Sequence, residues 1–225
     1  MTDWINIGIL GTAFLVLFAI AELLYHKFSF QAEVTRKIVH IFTGVLTLLF
    51  PPMLSNHWFV LMLCGSFLLI LLASWPLKLL PSINAVERKT TGSILYPIIV
   101  YGCFLNYNYF DNFALYYIPI LTLALCDPVA AYVGKKYPYK PYTAFGQKKT
   151  MSGSLGFTGA ALTLSFTFLI GLEHYSVLHA FTVAIILSVC TAFAEGISHG
   201  GYDNFTIPFA ATIVLIVAEY FLHYA

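Results

Sequence analysis

Long apolar segments separated by short loops follow one another along almost the whole chain, and this pattern limits the folds open to it. A helix needs about 20 mainly apolar residues to cross a bilayer. Eight segments meet or approach that length, and none shows the period-two alternation of a barrel strand. They are Trp4–Tyr25, Ile38–Met53, His57–Trp75, Ser93–Asn108, Phe113–Val133, Ser154–Leu172, Val177–Glu195 and Phe205–Tyr224.

The composition agrees with a lipid environment. Hydrophobic residues make up 60% of the 225 residues and charged residues only 9%, whereas a soluble domain carries about 25% charged residues. The net charge of +1 gives no indication of a nucleic-acid partner. We therefore predict an all-α integral membrane protein, a single polytopic domain over residues 1–225 with about eight transmembrane helices in one bundle.

The basic residues predict the orientation of this bundle. All 11 lysines and arginines lie in three loops: Lys27, Arg36 and Lys37; Lys78, Arg88 and Lys89; and Lys135, Lys136, Lys140, Lys148 and Lys149. The positive-inside rule places these loops in the cytoplasm and both termini on the opposite side. The two shortest segments, Ile38–Met53 and Ser93–Asn108, are needed for this parity.

Asp127 is the first residue that suggests chemistry. It lies near the predicted cytoplasmic end of the fifth segment and is followed by Pro128. A carboxylate inside a membrane costs about 2.5–3.5 kcal/mol on insertion scales, so such residues are usually functional. The proline removes a helical hydrogen bond nearby. The alternative is an interfacial aspartate that simply reaches water.

Further acidic residues lie at the same predicted face. Glu195 ends the seventh segment, and Asp203 with Asn204 follows in the next loop. Each acid alone is typical of a loop or membrane boundary. If they converge with Asp127, a divalent cation would relieve their repulsion, and Mg²⁺ prefers such hard oxygen ligands. The sequence therefore predicts a magnesium site formed by Asp127, Glu195 and Asp203.

A basic and hydroxyl-rich stretch precedes the sixth segment. Helix N-termini bind anions through free N–H groups, and lysine adds point charge for a phosphate. The stretch has no P-loop spacing, and basic residues flanking a membrane helix also occur without function. The candidate phosphate-binding residues are Lys148, Lys149, Thr150, Gly153 and Ser154.

Two more basic clusters precede membrane segments. Arg36 and His40 are four residues apart and share one helix face, with Lys37 beside them. A lone histidine is more often a hydrogen-bonded packing residue than a ligand, so we expect His40 to support residues of the site without contacting the substrate. Arg88 begins a second cluster that leads to Gly92. Membrane orientation alone would explain these charges, but three clusters meeting acidic residues favour an anion site.

Taken together, these motifs resemble those of the membrane lipid-alcohol kinases, a family that includes phytol kinase, dolichol kinase and CTP-dependent diacylglycerol kinase. The similarity extends from residue 36 to residue 208. The matching positions are Arg36, Lys37 and His40; Arg88, Gly92, Tyr96 and Pro97; Asp127, Pro128, Ala130 and Gly134; Lys149, Thr150, Gly153 and Ser154; and Glu195, Gly201, Asp203, Asn204 and Pro208. The chain is short for a dolichol kinase, so the resemblance favours a compact bacterial type similar to phytol kinase and implies a location in the bacterial inner membrane.

The resemblance implies transfer of a phosphoryl group from a nucleoside triphosphate, CTP in this family, to a lipid alcohol of the bilayer such as phytol, a polyprenol or diacylglycerol. It implies catalytic roles for Asp127, Lys149, Glu195 and Asp203, with bound Mg²⁺. The implied phosphate-binding residues are Arg36, Lys37, Arg88, Lys148, Thr150, Gly153, Ser154 and Asn204.

Two alternatives remain open at the level of sequence. The family is distantly similar to phosphatidate cytidylyltransferase, which would use the same groups to form a CDP-lipid and release pyrophosphate. A cation-coupled transporter would instead need polar residues through the full membrane depth, whereas here they cluster at one face. The sequence does not predict the oligomeric state.

Overall fold

The structure is a computed structural model that describes residues 2–85 and 91–224, with side chains to residue 221. The helices are α1 (Thr2–His26), α2 (Ala32–Thr47), α3 (Phe50–Met53), α4 (His57–Ser74), α5 (Pro81–Asn84), α6 (Gly92–Phe110), α7 (Ala114–Leu121), α8 (Asp127–Lys136), α9 (Met151–Gly171), α10 (Val177–Ile197) and α11 (Asp203–Tyr224). A π-helical turn, Thr122–Cys126, joins α7 to α8, and two strands, β1 (Pro141–Ala144) and β2 (Gln147–Thr150), precede α9.

The helices confirm the prediction of an all-α membrane protein. Six are long and apolar enough to cross a membrane: Thr2–His26, His57–Ser74, Ala114–Lys136, Met151–Gly171, Val177–Ile197 and Asp203–Phe221. Each coincides with a predicted segment. The second and fourth predicted segments correspond to α2 with α3 and to α6, which are not among the six. Eight crossings and the sidedness of the termini stay predictions.

Contacts near the ends of the helices show that the helical segments run alternately between two ends of the bundle. The end around residues 27–31, 75–85, 137–150 and 198–202 is called the basic end; there Thr35 Oγ1 donates to the Ser82 carbonyl over 2.6 Å, and Lys135 Nζ lies 3.5 Å from Glu33 Oε1. The end around residues 48–56, 111–113 and 172–176 is called the far end; there Ser55 Oγ donates to Asp3 over 2.7 Å. The loops that carry lysine therefore meet at one end.

The helical segment Ala114–Lys136 lies at the centre of the bundle. In its most apolar stretch 67% of the residues are buried, against 22–39% in the other five candidate spans. It packs against α2, α6, α9 and α11. The outer helices instead expose large apolar side chains, as lipid-facing helices do: Leu69, Leu155 and Phe193 are 68%, 62% and 69% exposed.

One small sheet departs from the all-α prediction. Strands β1 and β2 pair antiparallel, with Pro141 opposite Thr150 and Ala144 opposite Gln147. The two-residue turn between them has positive φ at both Phe145 (47°) and Gly146 (79°), the conformation that matches the right-handed twist of a hairpin. The hairpin lies at the basic end, and β2 is followed directly by α9.

Candidate active site

Asp127 is placed by an irregularity in the central helix. The π-helical turn Thr122–Cys126 ends immediately before it, and such turns are frequent at functional sites. In a π-helix the Leu123 carbonyl would pair with the amide of residue 128, but Pro128 has no N–H. The Leu123 carbonyl instead lies 3.3 Å from His40 Nε2. Since a carbonyl can only accept, His40 donates through Nε2.

This contact holds the His40 ring against the turn before Asp127, while its supporting role in the site stays a prediction. Its ring also meets Tyr96 edge-on at 5.0 Å between centroids. One turn further along α2, Gly44 allows the close approach, because an added Cβ would lie 2.4 Å from Ala124 Cβ and 2.8 Å from Tyr96 Oη. Helix α2 is thus held tightly against the π-helical turn that precedes Asp127.

The basic residues of α2 lie beside Asp127. Glu33 Oε1 forms ion pairs with Lys135 Nζ at 3.5 Å and with Lys37 Nζ at 3.9 Å. Burial lowers the pKa of Lys37, and repulsion from Lys135 adds to this, against the attraction of Glu33 and Asp127. No carboxylate among residues 2–85 and 91–224 forms an ion pair with Arg36. Arg36 lines the cavity described below, and its role in binding an anion stays a prediction.

The loop before α11 brings Asp203 and Asn204 to the start of α6. Gly200 and Gly201 have φ of 59° and 89°, which glycine adopts without strain. This turn lets Gly200 O accept from Thr91 N over 3.0 Å. Asn204 Nδ2 donates to Gly92 O over 2.7 Å. Asn204 thus connects the start of α11 to the start of α6, a structural contact that the sequence did not predict.

Lys149 and Glu195 form a buried ion pair. Lys149 Nζ lies 2.7 Å from Glu195 Oε1 and also donates to the Glu195 carbonyl. Their side chains are only 14% and 9% exposed. Both residues were predicted to be catalytic, but their pairing was not predicted. The pair connects β2 to the end of α10.

The residues of the predicted phosphate-binding stretch lie in different surroundings. Thr150 Oγ1 accepts from Gly153 N over 3.1 Å and caps α9, while Ser154 Oγ lies 2.8 Å from Tyr142 Oη. Lys148 is exposed on the opposite face of β2 from Lys149. None of these residues lines the cavity described below. Their binding roles stay predictions, and Arg88 lies outside the described residues.

Gly153 lies where α8 and α9 cross. An added Cβ at Gly153 would lie 2.9 Å from the Ala130 carbonyl, and one at Gly134 would lie 2.6 Å from Thr150 Oγ1. The glycines of two of the matching motifs therefore let these two helices touch. This fixes Asp127, which begins α8, relative to the hairpin.

A single cavity of about 180 Å³ joins many of the predicted residues. Its polar part is lined by Arg36, Lys37, His40, Ser93, Asp127, Gln147, Gly200, Gly201, Asp203 and Asn204. Asp127 interacts electrostatically with Asp203 and Glu195, which repel it, and with Lys149 and Lys37, which attract it. The acids and bases of four distant stretches are thus brought together at the basic end.

The predicted set of three metal ligands is not gathered at one point. Within residues 2–85 and 91–224, no three His, Cys, Asp or Glu side chains lie close enough together to hold a metal ion. Asp127 and Asp203 line the cavity, whereas Glu195 is engaged by Lys149. Two carboxylates are nevertheless enough for Mg²⁺, which usually binds one or two protein carboxylates, several waters and substrate phosphates.

Sequence reasoning missed some of the lining residues. Gln147 and Ser93 reach the cavity from the hairpin and from the start of α6. The sequence carried no clear signal for Gln147, because Phe145-Gly146 is not one of the residue pairs typical of a hairpin turn. No signal distinguishes Ser93 either.

The fold and cavity define a polytopic membrane protein in which a polar site adjoins an apolar pocket, the arrangement that chemistry on a bilayer lipid requires. The protein named phytol kinase from Synechocystis sp. is 31% identical over 221 residues, which cover 96% of this chain and 93% of that protein. No protein-family model and no solved structure matches the chain. The chain therefore belongs to the phytol and dolichol kinase family of membrane lipid-alcohol kinases, which confirms the resemblance.

Proposed function

We propose that this chain transfers the terminal phosphoryl group of a nucleoside triphosphate to the hydroxyl of a membrane lipid alcohol such as phytol, a polyprenol or diacylglycerol. The observation that supports this most directly is the cavity, where Asp127, Asp203 and Arg36 adjoin apolar and aromatic side chains. The relative named phytol kinase supports the same class of acceptor. CTP is proposed as the donor from the family resemblance alone.

The residues of the polar part suit phosphoryl transfer, which depends on positioning and charge stabilisation more than on covalent chemistry. The alcohol oxygen forms a bond to the terminal phosphorus while the bond to the bridging oxygen breaks, and the nucleoside diphosphate leaves. Asp127 accepts a hydrogen bond from the alcohol and takes its proton. Arg36 and Lys37 neutralise the charge on the phosphoryl oxygens.

Magnesium fits the carboxylates that line the cavity. We propose that Asp127 and Asp203 hold it together with the nucleotide phosphates, rather than the full set of three carboxylates. Bound there, the ion would neutralise phosphate charge and fix the phosphates for in-line attack. In this proposal Glu195 holds Lys149 in place through the ion pair between Glu195 Oε1 and Lys149 Nζ, which lie 2.7 Å apart.

We further propose eight crossings with both termini outside and the site facing the cytoplasm of a bacterial inner membrane. Support comes from the described lysines and Arg36, which lie in or beside the loops of the basic end. With six crossings, the loop that carries Lys78 would lie on the opposite side of the membrane from the other described lysines and Arg36. A membrane-impermeant thiol reagent should label Lys148→Cys only in inverted vesicles, and Ser55→Cys only in right-side-out vesicles. The reverse pattern overturns the orientation.

The deciding experiment is a panel of lipid alcohols with the purified chain, Mg²⁺ and CTP. We expect mass spectrometry to find a phosphorylated lipid together with the nucleoside diphosphate. Pyrophosphate and a CDP-lipid from phosphatidate would instead establish the cytidylyltransferase alternative. If none of phytol, geranylgeraniol, polyprenol and diacylglycerol is phosphorylated, with other nucleotides also tried, the proposal is wrong.

A further inference from the structure

The cavity has an apolar arm that extends away from the polar site into the bundle. Along α2, its lining residues Arg36, His40, Thr43 and Thr47 recur at spacings of three and four, so they share one face of the helix. At 1.5 Å per residue, the distance from Arg36 to Thr47 is about 16 Å. The arm therefore reaches about half of the 30 Å hydrocarbon core of a bilayer.

Phenylalanine side chains from three helices close the deep end of this arm. The ring of Phe14 lies 4.8 Å from that of Phe67 and 6.1 Å from that of Phe50, between centroids. All three are nearly buried, at 3%, 8% and 1% exposure. Cys64, one turn from Phe67 on α4, lines the same end and is also buried. We call Phe14, Phe50 and Phe67 the aromatic stop.

The chemistry of the arm fits a hydrocarbon chain better than water. Its walls are mainly apolar, with Val39, Phe18, Val100 and the aromatic stop around the hydroxyls of Thr43 and Thr47 on α2. Cavities with such mainly apolar walls favour apolar ligands over water. The arm is also continuous with the residues placed around the reacting hydroxyl. A substrate with a hydroxyl at one end and an apolar chain behind it matches both parts in order.

We propose that the apolar arm binds the hydrocarbon chain of the lipid alcohol and that the aromatic stop sets the longest chain that fits. This rests on the proposed function and adds to it the residues that determine specificity. One arm holds one chain, so single-chain prenyl alcohols should be preferred over diacylglycerol. A chain that would extend beyond the aromatic stop has no space there. Each methylene in excess of the longest chain that fits should therefore lower kcat/KM by about tenfold or more.

The test compares Cys64→Phe with Cys103→Phe. Both cysteines are buried, but only Cys64 lines the cavity. The substrates are geraniol, farnesol and geranylgeraniol, each longer than the last by one isoprene unit. We expect Cys64→Phe to lower kcat/KM for geranylgeraniol at least about tenfold relative to geraniol. Cys103→Phe should leave that ratio at the value of the native chain.

A second pair of variants changes the arm in the opposite direction. Phe67→Ala should raise the relative kcat/KM of alcohols longer than geranylgeraniol, whereas Phe104→Ala, at a buried phenylalanine outside the cavity, should not. This pair keeps the test decisive if the larger side chain at position 64 prevents folding. Unchanged ratios in Cys64→Phe and Phe67→Ala overturn the proposal.

A binding measurement separates this proposal from the proposed function. A photoreactive geranylgeraniol analogue should label the native chain, and geranylgeraniol should compete for the site. Labelling should fall at least about tenfold in Cys64→Phe and persist in Cys103→Phe. Labelling without turnover of any alcohol would contradict the proposed function alone. Turnover with labelling unaffected by Cys64→Phe would contradict the chain-binding arm alone.

Discussion

The two ends of the bundle both contain buried or half-buried carboxylates, but these have different neighbours in the part of the chain that the structure describes. At the basic end, Asp127 and Asp203 line a cavity with Arg36 and Lys37. At the far end, Glu219 accepts from Asn112 Nδ2 over 2.5 Å and from Tyr175 over 3.1 Å. The far-end acid is fully occupied by hydrogen bonds within the protein.

This difference separates functional acids from structural ones. Glu173 accepts from Ala114 N over 3.0 Å and so holds the start of the central helix. No lysine or arginine lies in the loops of the far end. Carboxylates with satisfied hydrogen bonds stabilise a fold, whereas carboxylates that face a cavity remain available to a substrate or metal ion. We therefore expect substitutions at the two ends to affect different measurements.

The largest expected effect is on turnover, from Asp127→Asn. Loss of the carboxylate charge removes both the proton acceptor and a metal ligand, so kcat should fall by about 10³-fold or more. The matched control is Asp111→Asn at the far end, where φ of 50° is a conformation that asparagine also adopts. Initial rates of lipid phosphorylation measure both. Near-normal turnover in Asp127→Asn would remove the distinction between the two ends.

The next effect concerns the buried pair of Lys149 and Glu195. Lys149→Ala leaves a carboxylate that is only 9% exposed without its partner, and breaking such a pair costs about 3–5 kcal/mol. Thermal unfolding in detergent should show this loss. The double variant Lys149→Met with Glu195→Leu should recover most of the stability but none of the turnover. A double variant with native turnover would show that the pair is purely structural.

Two glycines of α9 test the same contrast within one helix. An added Cβ at Gly153, at the basic end, would lie 2.9 Å from the Ala130 carbonyl, while Gly171, at the far end, has nothing within 4 Å. Gly153→Ala should destabilise by about 1–3 kcal/mol and reduce turnover. Gly171→Ala should leave both unchanged within about 1 kcal/mol. Equal effects on unfolding midpoints would mean that the α8–α9 crossing is not tight.

The helices were predictable where hydropathy alone determines them. The six strongly apolar segments appear as helices near their predicted bounds. Helix α2 begins at Ala32, six residues before the predicted segment, because its first turns carry Glu33, Arg36 and Lys37 and do not score as apolar. It ends at Thr47, and a separate short helix begins before Pro51. Charged first turns and prolines therefore limited the prediction of boundaries.

The candidate site was predictable in its residues but not in its pairings. Asp127, Asp203 and Arg36 stand out in sequence because charge near a membrane is costly, and they do line one cavity. The Lys149–Glu195 pair depends on the side-chain alternation of an unpredicted strand, which buries Lys149 and exposes Lys148. Such contacts between residues 46 positions apart leave no local signal.

The smallest expected effect is on stability and comes from Glu173, a carboxylate of the far end. Burial raises the pKa of Glu173, and the charge of Glu219 adds to this, against the hydrogen bond from Ala114 N. A raised folded-state pKa means that the stabilising contribution of Glu173 is complete below its unfolded-state value near pH 4.5 and is lost as the pH rises through the folded-state value. The far end is therefore slightly less stable with Glu173 charged, at neutral pH, than with Glu173 protonated.

Glu173→Gln should accordingly raise the unfolding midpoint at neutral pH by about 1–2 °C, because the side chain is partly solvated and its charge is screened. The amide oxygen can still accept from Ala114 N, so the hydrogen bond that holds the central helix is kept. At about pH 4 the native chain and the variant should unfold at the same temperature. Turnover should not change at either pH, since Glu173 lies at the end opposite Asp127. A loss of turnover without a loss of stability would show that the far end participates in function, and the contrast between the two ends would fail.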